Sequence, residues 1–208
     1  MTAVQTPTFV LPGKWWRVDL RTPETVRQSI RSLTKSAMPG DQFAQVRAEM
    51  LATTASAAEQ AANAGAVAFH LALEIVPGLP IPLTLAVYLP EMPMRLSSLS
   101  SGLASAESLG EFLRADGSVV SAWAEGEHLG VARAMRVRSP ATEELGATDV
   151  LHVDYWLVCE GSSATAVLSF SAPVLWEVAT EAMLSLMDAV VSTVTWEPDR
   201  LVSADEVL

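Results

Sequence analysis

VLHVDYWLVCEGSSATAVLSF, residues 150–170, reads as a β-hairpin. Leu151, Val153, Tyr155, Leu157 and Cys159 alternate with Val150, His152, Asp154, Trp156 and Val158, and successive side chains of a strand point to opposite faces. Glu160–Ser163 supply the turn, after which Ala166, Leu168 and Phe170 return with the same period. The second face decides the architecture. A sheet face open to water carries mostly charged and hydroxyl side chains. This one carries Trp156 and two valines.

The same two-sidedness recurs upstream. In PGKWWRVDL, residues 12–20, Trp16, Val18 and Leu20 share one side, and Trp15, Arg17 and Asp19 the other. Val67, Phe69, Leu71, Leu73 and Ile75 form a strand backed by Ala66, Ala68, His70, Ala72 and Glu74. Leu83, Leu85, Val87 and Leu89 form another, with Thr84, Ala86 and Tyr88 behind. Trp15, Tyr88 and Trp156 are thereby assigned to the less apolar face. Each aromatic buries about 150–250 Å², several kcal/mol at about 25 cal/mol per Å². Leaving all three wet is unfavourable. The sheet is therefore expected to be covered on both faces, by helices, a partner protein or a second copy.

Helices are available. Thr22 is placed to cap one that begins at Pro23, with Glu24 near its positive end and Val26, Ile30, Leu33 and Ala37 as its apolar stripe. Arg27, Arg31 and Lys35 lie on another side. Asp41 opens an alanine-rich helix to about Asn63, with Gly65 as its stop. Residues 92–106 read as a surface crossover, Glu107–Arg114 as a short helix, and Val119–Trp123 and Val131–Val137 as strands. A last helix starts near Ser171 or Ala172, with Leu175, Ala179, Ala182, Leu186, Ala189 and Val190 on one face. Phe9–Leu11 and Trp15–Leu20 flank the turn dipeptide Pro12-Gly13, which predicts a small hairpin. This order predicts an α+β domain over 1–196, a mainly antiparallel sheet flanked by helices as an α/β/α sandwich, followed by an acidic flexible tail, 197–208.

Composition narrows the classes. Half of the 208 residues are hydrophobic and 18% charged, enough for a large core. Cys159 is the single cysteine, which excludes an intrachain disulfide and a cysteine-rich metal site. The first residues lack a basic segment followed by an apolar one, and Pro77, Gly78, Pro80 and Pro82 interrupt the longest apolar run, 66–89. A cytoplasmic protein without membrane insertion is expected. The net charge of −11 argues against nucleic acid as a partner. Residues 1–40 nevertheless carry +4 and the remainder −15. That basic segment is either a solvated helix face or a docking face for an acidic partner.

FVLPGKWWRVDL (9–20) followed by a helix, and the closing unit of hairpin, Ser-x-Pro turn and Trp-terminated helix over 154–196, resemble the Mog1/PsbP-like superfamily, which includes DcrB-like proteins. The resemblance covers the two ends of the chain. The Ala/Val/Arg/Glu-rich usage is of an actinobacterial type. The resemblance implies an antiparallel sheet between helices and a non-enzymatic accessory role. It transfers no functional residues.

Few groups point to chemistry. His152 and Asp154 share a strand face, and His70 with Glu74 joins them if the strands are neighbours; such a His–carboxylate set can orient a base or ligate a metal. Its bland reading is a polar edge. Glu125, Glu127 and His128 form a second oxygen–nitrogen cluster or a solvated turn. No His-x-x-x-His, CxxC, EF-hand, Walker A or G-x-S-x-G spacing occurs. Cys159 reads as an inert core residue, and the pair Met183 and Met187 as core or interface. The expectation is a protein-binding adaptor, chaperone-like or assembly factor with no cofactor, metal or catalytic residue. Its interaction surface draws on Trp15, Arg17, Arg27, Arg31, Tyr88 and Trp156. The competing class is a small-ligand binder or hydrolase-type enzyme using His152, Asp154 and His70.

Overall fold

The structure, a computed structural model, describes residues 6–37, 40–75, 83–91, 102–114, 118–125, 129–139, 149–159, 164–174 and 177–196. The chain is α+β, with seven strands of antiparallel sheet and four α-helices among these residues. It divides into two compact units, Pro12–Tyr88 and Met1–Leu11 with Leu89–Leu208. Among the described residues no helix is long and apolar enough to cross a membrane. The tail 197–208 lies outside them.

The Pro12–Tyr88 unit holds β1 (Lys14–Val18), α1 (Pro23–Ala37), a short 3-10 turn (Asp41–Phe43), α2 (Ala44–Asn63), β2 (Ala66–Glu74) and β3 (Thr84–Tyr88). Strand β2 pairs antiparallel with both β1 and β3. Helix α1 starts where the sequence places it. The Thr22 backbone N–H donates to Thr25 Oγ1 at 3.0 Å, and the Thr25 N–H donates to Thr22 Oγ1 at 3.2 Å. This reciprocal cap satisfies donors that the first turn leaves orphaned. The turn that closes α2 ends at Gly65, whose φ of +87° costs an L side chain strain. At Gly13, φ +80°, an added Cβ would stand 2.2 Å from the Glu74 carbonyl oxygen, so the entry to β1 demands glycine.

Both helices of this unit cover one sheet face. Val26, Ile30 and Leu33 of α1 and Ala55, Ala58 and Ala61 of α2 bury Val18, Phe69, Leu71 and Ala86. Trp16 joins this core and donates its indole N–H to Ser29 Oγ at 3.0 Å. The alanine-rich helix lies close to the strands because its buried positions carry only methyl groups.

Register corrects one face assignment. Phe69 stands opposite Ala86 and His70 opposite Leu85, which puts Ala86 and Tyr88 on the α1–α2 side, with Tyr88 packed against that core. Leu85 and Val87 share the other face with His70 and are 0% and 1% exposed. Strand β3 is apolar on both sides, so its alternation carries no sign to tell them apart. Trp15 and Tyr88 are therefore on opposite faces.

The other unit holds α3 (Gly102–Arg114), β4 (Val119–Glu125), β5 (Leu129–Arg138), β6 (Val150–Cys159), β7 (Thr165–Pro173) and α4 (Glu177–Val191). Its strands run in the order β7-β6-β5-β4, antiparallel at each step. The β6–β7 hairpin matches the sequence reading. Helix α3 begins earlier than its predicted Glu107, inside the proposed crossover, and Ser105 and Ala106 extend its buried side. Leu109 and Leu113 pack on Ala132, Ala134 and Val158, with Trp156 and Val120 at the margin. Helix α4 covers the opposite face, the one with Tyr155. Its buried side is Met183, Met187, Val190 and Val191. Of the predicted stripe, Val190 is buried and Ala179 and Leu186 are half-buried, while Ala182 and Ala189 are exposed, because the long side chains at 183 and 187 bury more area than alanines do. Helices thus stand on both faces of this unit's sheet.

Phe9–Leu11 makes no hairpin with β1. Thr8 instead forms an antiparallel bridge with Thr195, its N–H donating to the Thr195 carbonyl at 2.9 Å and the return bond measuring 2.8 Å. Val10 N–H donates to Thr193 Oγ1 at 2.9 Å. Strand β1 finds β2 as its partner, a longer apolar ladder than three residues of arm could offer.

Candidate functional site

Alternation along β5, β6 and β7 separates two polar groups onto the two faces of one sheet. The α4 face carries Arg133, Tyr155 and, from the helix, Asp188. Tyr155 is wholly buried. Its hydroxyl donates to Asp188 Oδ1 at 2.6 Å. Arg133 Nη1 donates to both carboxylate oxygens, at 2.9 and 2.7 Å. The Arg133 guanidinium lies 5.7 Å from the Trp123 ring centre. Tyr155 also makes edge-to-face contacts with Trp123 at 6.3 Å and Phe170 at 5.7 Å. Burial pushes the Tyr155 hydroxyl far above its ordinary range, and the hydrogen bond to the Asp188 carboxylate adds to this. The phenol stays protonated and works as a donor. The arrangement anchors α4 to the sheet.

The α3 face carries the second group, which starts at Asp154, opposite Ala134 of the α3 core, and runs on to His152 and Arg136. Register places His152 between Arg136 and Ser171, and Asp154 between Ala134 and Ser169. Ser171 Oγ lies 2.9 Å from His152 Nδ1. Ser169 Oγ donates to Asp154 Oδ1 at 2.5 Å, and Arg136 Nη2 donates to Asp154 Oδ2 at 2.6 Å. Asp154 is 9% exposed. Its carboxylate is thus held by a serine and an arginine. Burial lowers the His152 pKa below its ordinary value, and Arg138 lowers it further; Asp154 opposes them. Burial thus disfavours the charged imidazole, whose Nδ1 lies within hydrogen-bond reach of the Ser171 hydroxyl. His70, in the Pro12–Tyr88 unit, stands opposite Arg17 on β1. Burial lowers its pKa too, with Arg17 contributing.

Among the described residues no three His, Cys, Asp or Glu side chains gather around a point where a metal ion could sit. Glu127 and His128 lie outside the described residues, while Glu125 accepts the Trp123 indole N–H at 3.2 Å. Cys159 is half-buried, its Sγ 4.0 Å from the Trp196 carbonyl oxygen.

The expected interaction surface separates into parts. Trp156 is half-buried against the α3 core. Trp15 is half-buried, and its indole N–H donates to the Pro12 carbonyl at 2.8 Å. Arg17 is exposed beside it. Arg27 and Arg31 stand together on the outer side of α1, with Lys35 one turn further on. Their charges differ in use. Arg27 Nε lies 2.9 Å from Glu59 Oε1 of α2, Lys14 pairs with Glu74 at 2.6 Å, and Arg21 pairs with Asp19. Arg31 and Lys35 are exposed and make no ion pair among the described residues.

Asp188 and Ser169 escaped the sequence reading. The signal for Asp188 was an acid inside an otherwise apolar helical stretch. For Ser169 it was a hydroxyl on a strand opposite Asp154, legible once the hairpin register is known.

No family model, characterised protein or solved structure matches this chain.

Proposed function

We propose that this protein works by binding another protein, as an adaptor, chaperone-like or assembly factor, and carries out no chemistry of its own. The observation that carries this reading is a contrast in how charge is used. On the sheet faces Arg133, Arg136, Asp154 and Asp188 are committed to each other and to Tyr155 and Ser169. On α1, Arg31 and Lys35 stand exposed and uncommitted. A large apolar side chain of α2 in the same unit, Met50, is 46% exposed as well. Exposed apolar and unpaired charged groups together suit a protein interface. An accessory role is also what the Mog1/PsbP-like resemblance of the two chain ends implies.

Cross-linking of the full chain in its native host, followed by mass spectrometry, tests this. A stoichiometric protein neighbour, a second copy included, is expected. Its recovery should not change in His152→Ala or Ser171→Ala.

One distance favours a second reading. Ser171 Oγ at 2.9 Å from His152 Nδ1 has the reach of a nucleophile and its base. A hydrolase-type enzyme would use this pair with Asp154 nearby. Labelling of Ser171 by a fluorophosphonate, lost in His152→Ala, combined with no protein neighbour, would replace the first reading by the second.

A further inference from the structure

Resting on the protein-binding reading above, we propose that the outer face of α1 and α2 takes an acidic amphipathic helix of a partner protein. Two adjoining surface depressions carry the inference. One is lined by Glu24, Arg27, Gln28, Arg31, Ser32 and Lys35. The other runs between the helices and is lined by Ala48, Leu51, Ala52 and Ala55, with Arg27, Ser56 and Glu59. Arg27 borders both, its guanidinium held by Glu59 at the seam. The first depression offers positive charge and hydrogen-bond donors. The second offers alkyl surface without bulk, so a helix can approach the backbone of α2 closely.

Spacing selects the ligand. Arg31 and Lys35 are four residues apart, about 6 Å along the axis at ~1.5 Å per residue. Carboxylates at i and i+4 on a facing helix repeat at the same interval. Glu24 and Glu59 repel acids at the other end of the face, which places the carboxylates of an acidic helix beside Arg31 and Lys35. A side chain such as leucine on the same helix would sit over Ala48 and Ala52.

Charge also separates a protein segment from a polynucleotide. The stripe from Arg27 to Lys35 spans about 12 Å, little more than the ~8 Å screening length at physiological salt. A short acidic helix stays within this patch. A duplex carries a charge about every 1.7 Å over its whole length, which the net charge of −15 on residues 41–208 disfavours.

The test is an NMR titration of the ¹⁵N-labelled full chain with a synthetic 18-residue peptide. It carries glutamates at i and i+4 on one side, leucines and alanines on the other. Shifts are expected at Gln28, Arg31, Ser32, Lys35 and Ala52. Affinity should fall about tenfold in Arg31→Glu/Lys35→Glu and about threefold in Ala52→Gln, and weaken with salt. Unchanged thermal unfolding of these surface variants confirms that they fold. Shifts elsewhere, equal binding of a scrambled or a lysine-for-glutamate peptide, or tighter binding of duplex DNA or phosphatidylserine vesicles to the same residues overturns the proposal. A cross-linked host neighbour that survives Arg31→Glu/Lys35→Glu sinks this inference and spares the protein-binding reading. Finding no protein neighbour sinks that reading itself.

Discussion

The sheet of the β4–β7 unit and the outer face of α1 and α2 both carry arginines, and they use them in opposite ways. Arg133 is bound by Asp188 beside a buried tyrosine, and Arg136 by a carboxylate that is 9% exposed. These contacts exist because the alternative, a half-buried charge without a partner, is expensive. Arg31 and Lys35 face water and touch no acid among the described residues. Their positions cost nothing in folding and do little for it. The difference teaches where to look for function in this α+β chain: at charges that stability does not need.

The contrast can be broken most visibly at Trp156, whose ring packs beside Leu109 and Leu113. Trp156→Ala should lower unfolding free energy by about 3 kcal/mol, the low end for a large aromatic because the ring is only half-buried. Urea denaturation measures it. Asp188→Ala comes next. It leaves the buried Tyr155 hydroxyl without its acceptor and Arg133 without its carboxylate, a loss of about 2–3 kcal/mol. Tyr155→Phe should cost less, about 1 kcal/mol, because Arg133 and Asp188 keep each other. Equal losses for these two variants would show that the ion pair contributes nothing.

Acid offers a smaller test. His70 and His152 have folded-state pKa values below the ordinary 6.5. Below that pH the unfolded chain takes up protons that the folded chain resists. Stability should hold above pH 6.5 and fall as pH drops through and below it. His152→Asn should flatten part of the slope in denaturation midpoints measured between pH 5 and 7. An unchanged slope would place His152 in water. The smallest effect is expected on α1, where Arg31→Ala and Lys35→Ala should each shift stability by less than about 0.5 kcal/mol.

Much of this was legible in the chain. Strict alternation in 150–170 announced the hairpin and its two faces, and Thr22-Pro23 announced the start of α1. Legibility failed wherever a segment is apolar on both sides. Strand β3 could be placed with either set of side chains inward, and Tyr88 went to the wrong one. In α4 the methionines at 183 and 187 were readable as buried, but alanines at 182 and 189 fit the same period, and periodicity does not record that they face water. The pairing of Thr8 with Thr195 was out of reach because a single bridge between the chain ends has no local pattern. At the candidate surface the charges were readable, but which of them were already paired was not. Arg27 and Arg31 look alike in sequence, and only the packing of α2 against α1 brings Glu59 to one of them.

The most direct measurement compares two double variants, Arg31→Glu/Lys35→Glu and Arg136→Ala/His152→Ala, for unfolding midpoint and for recovery of the cross-linked neighbour. The first should keep its midpoint and lose the neighbour; the second should lose midpoint and keep the neighbour. A neighbour retained by the first variant and lost by the second, with both still folded, would contradict the division between paired and free charge.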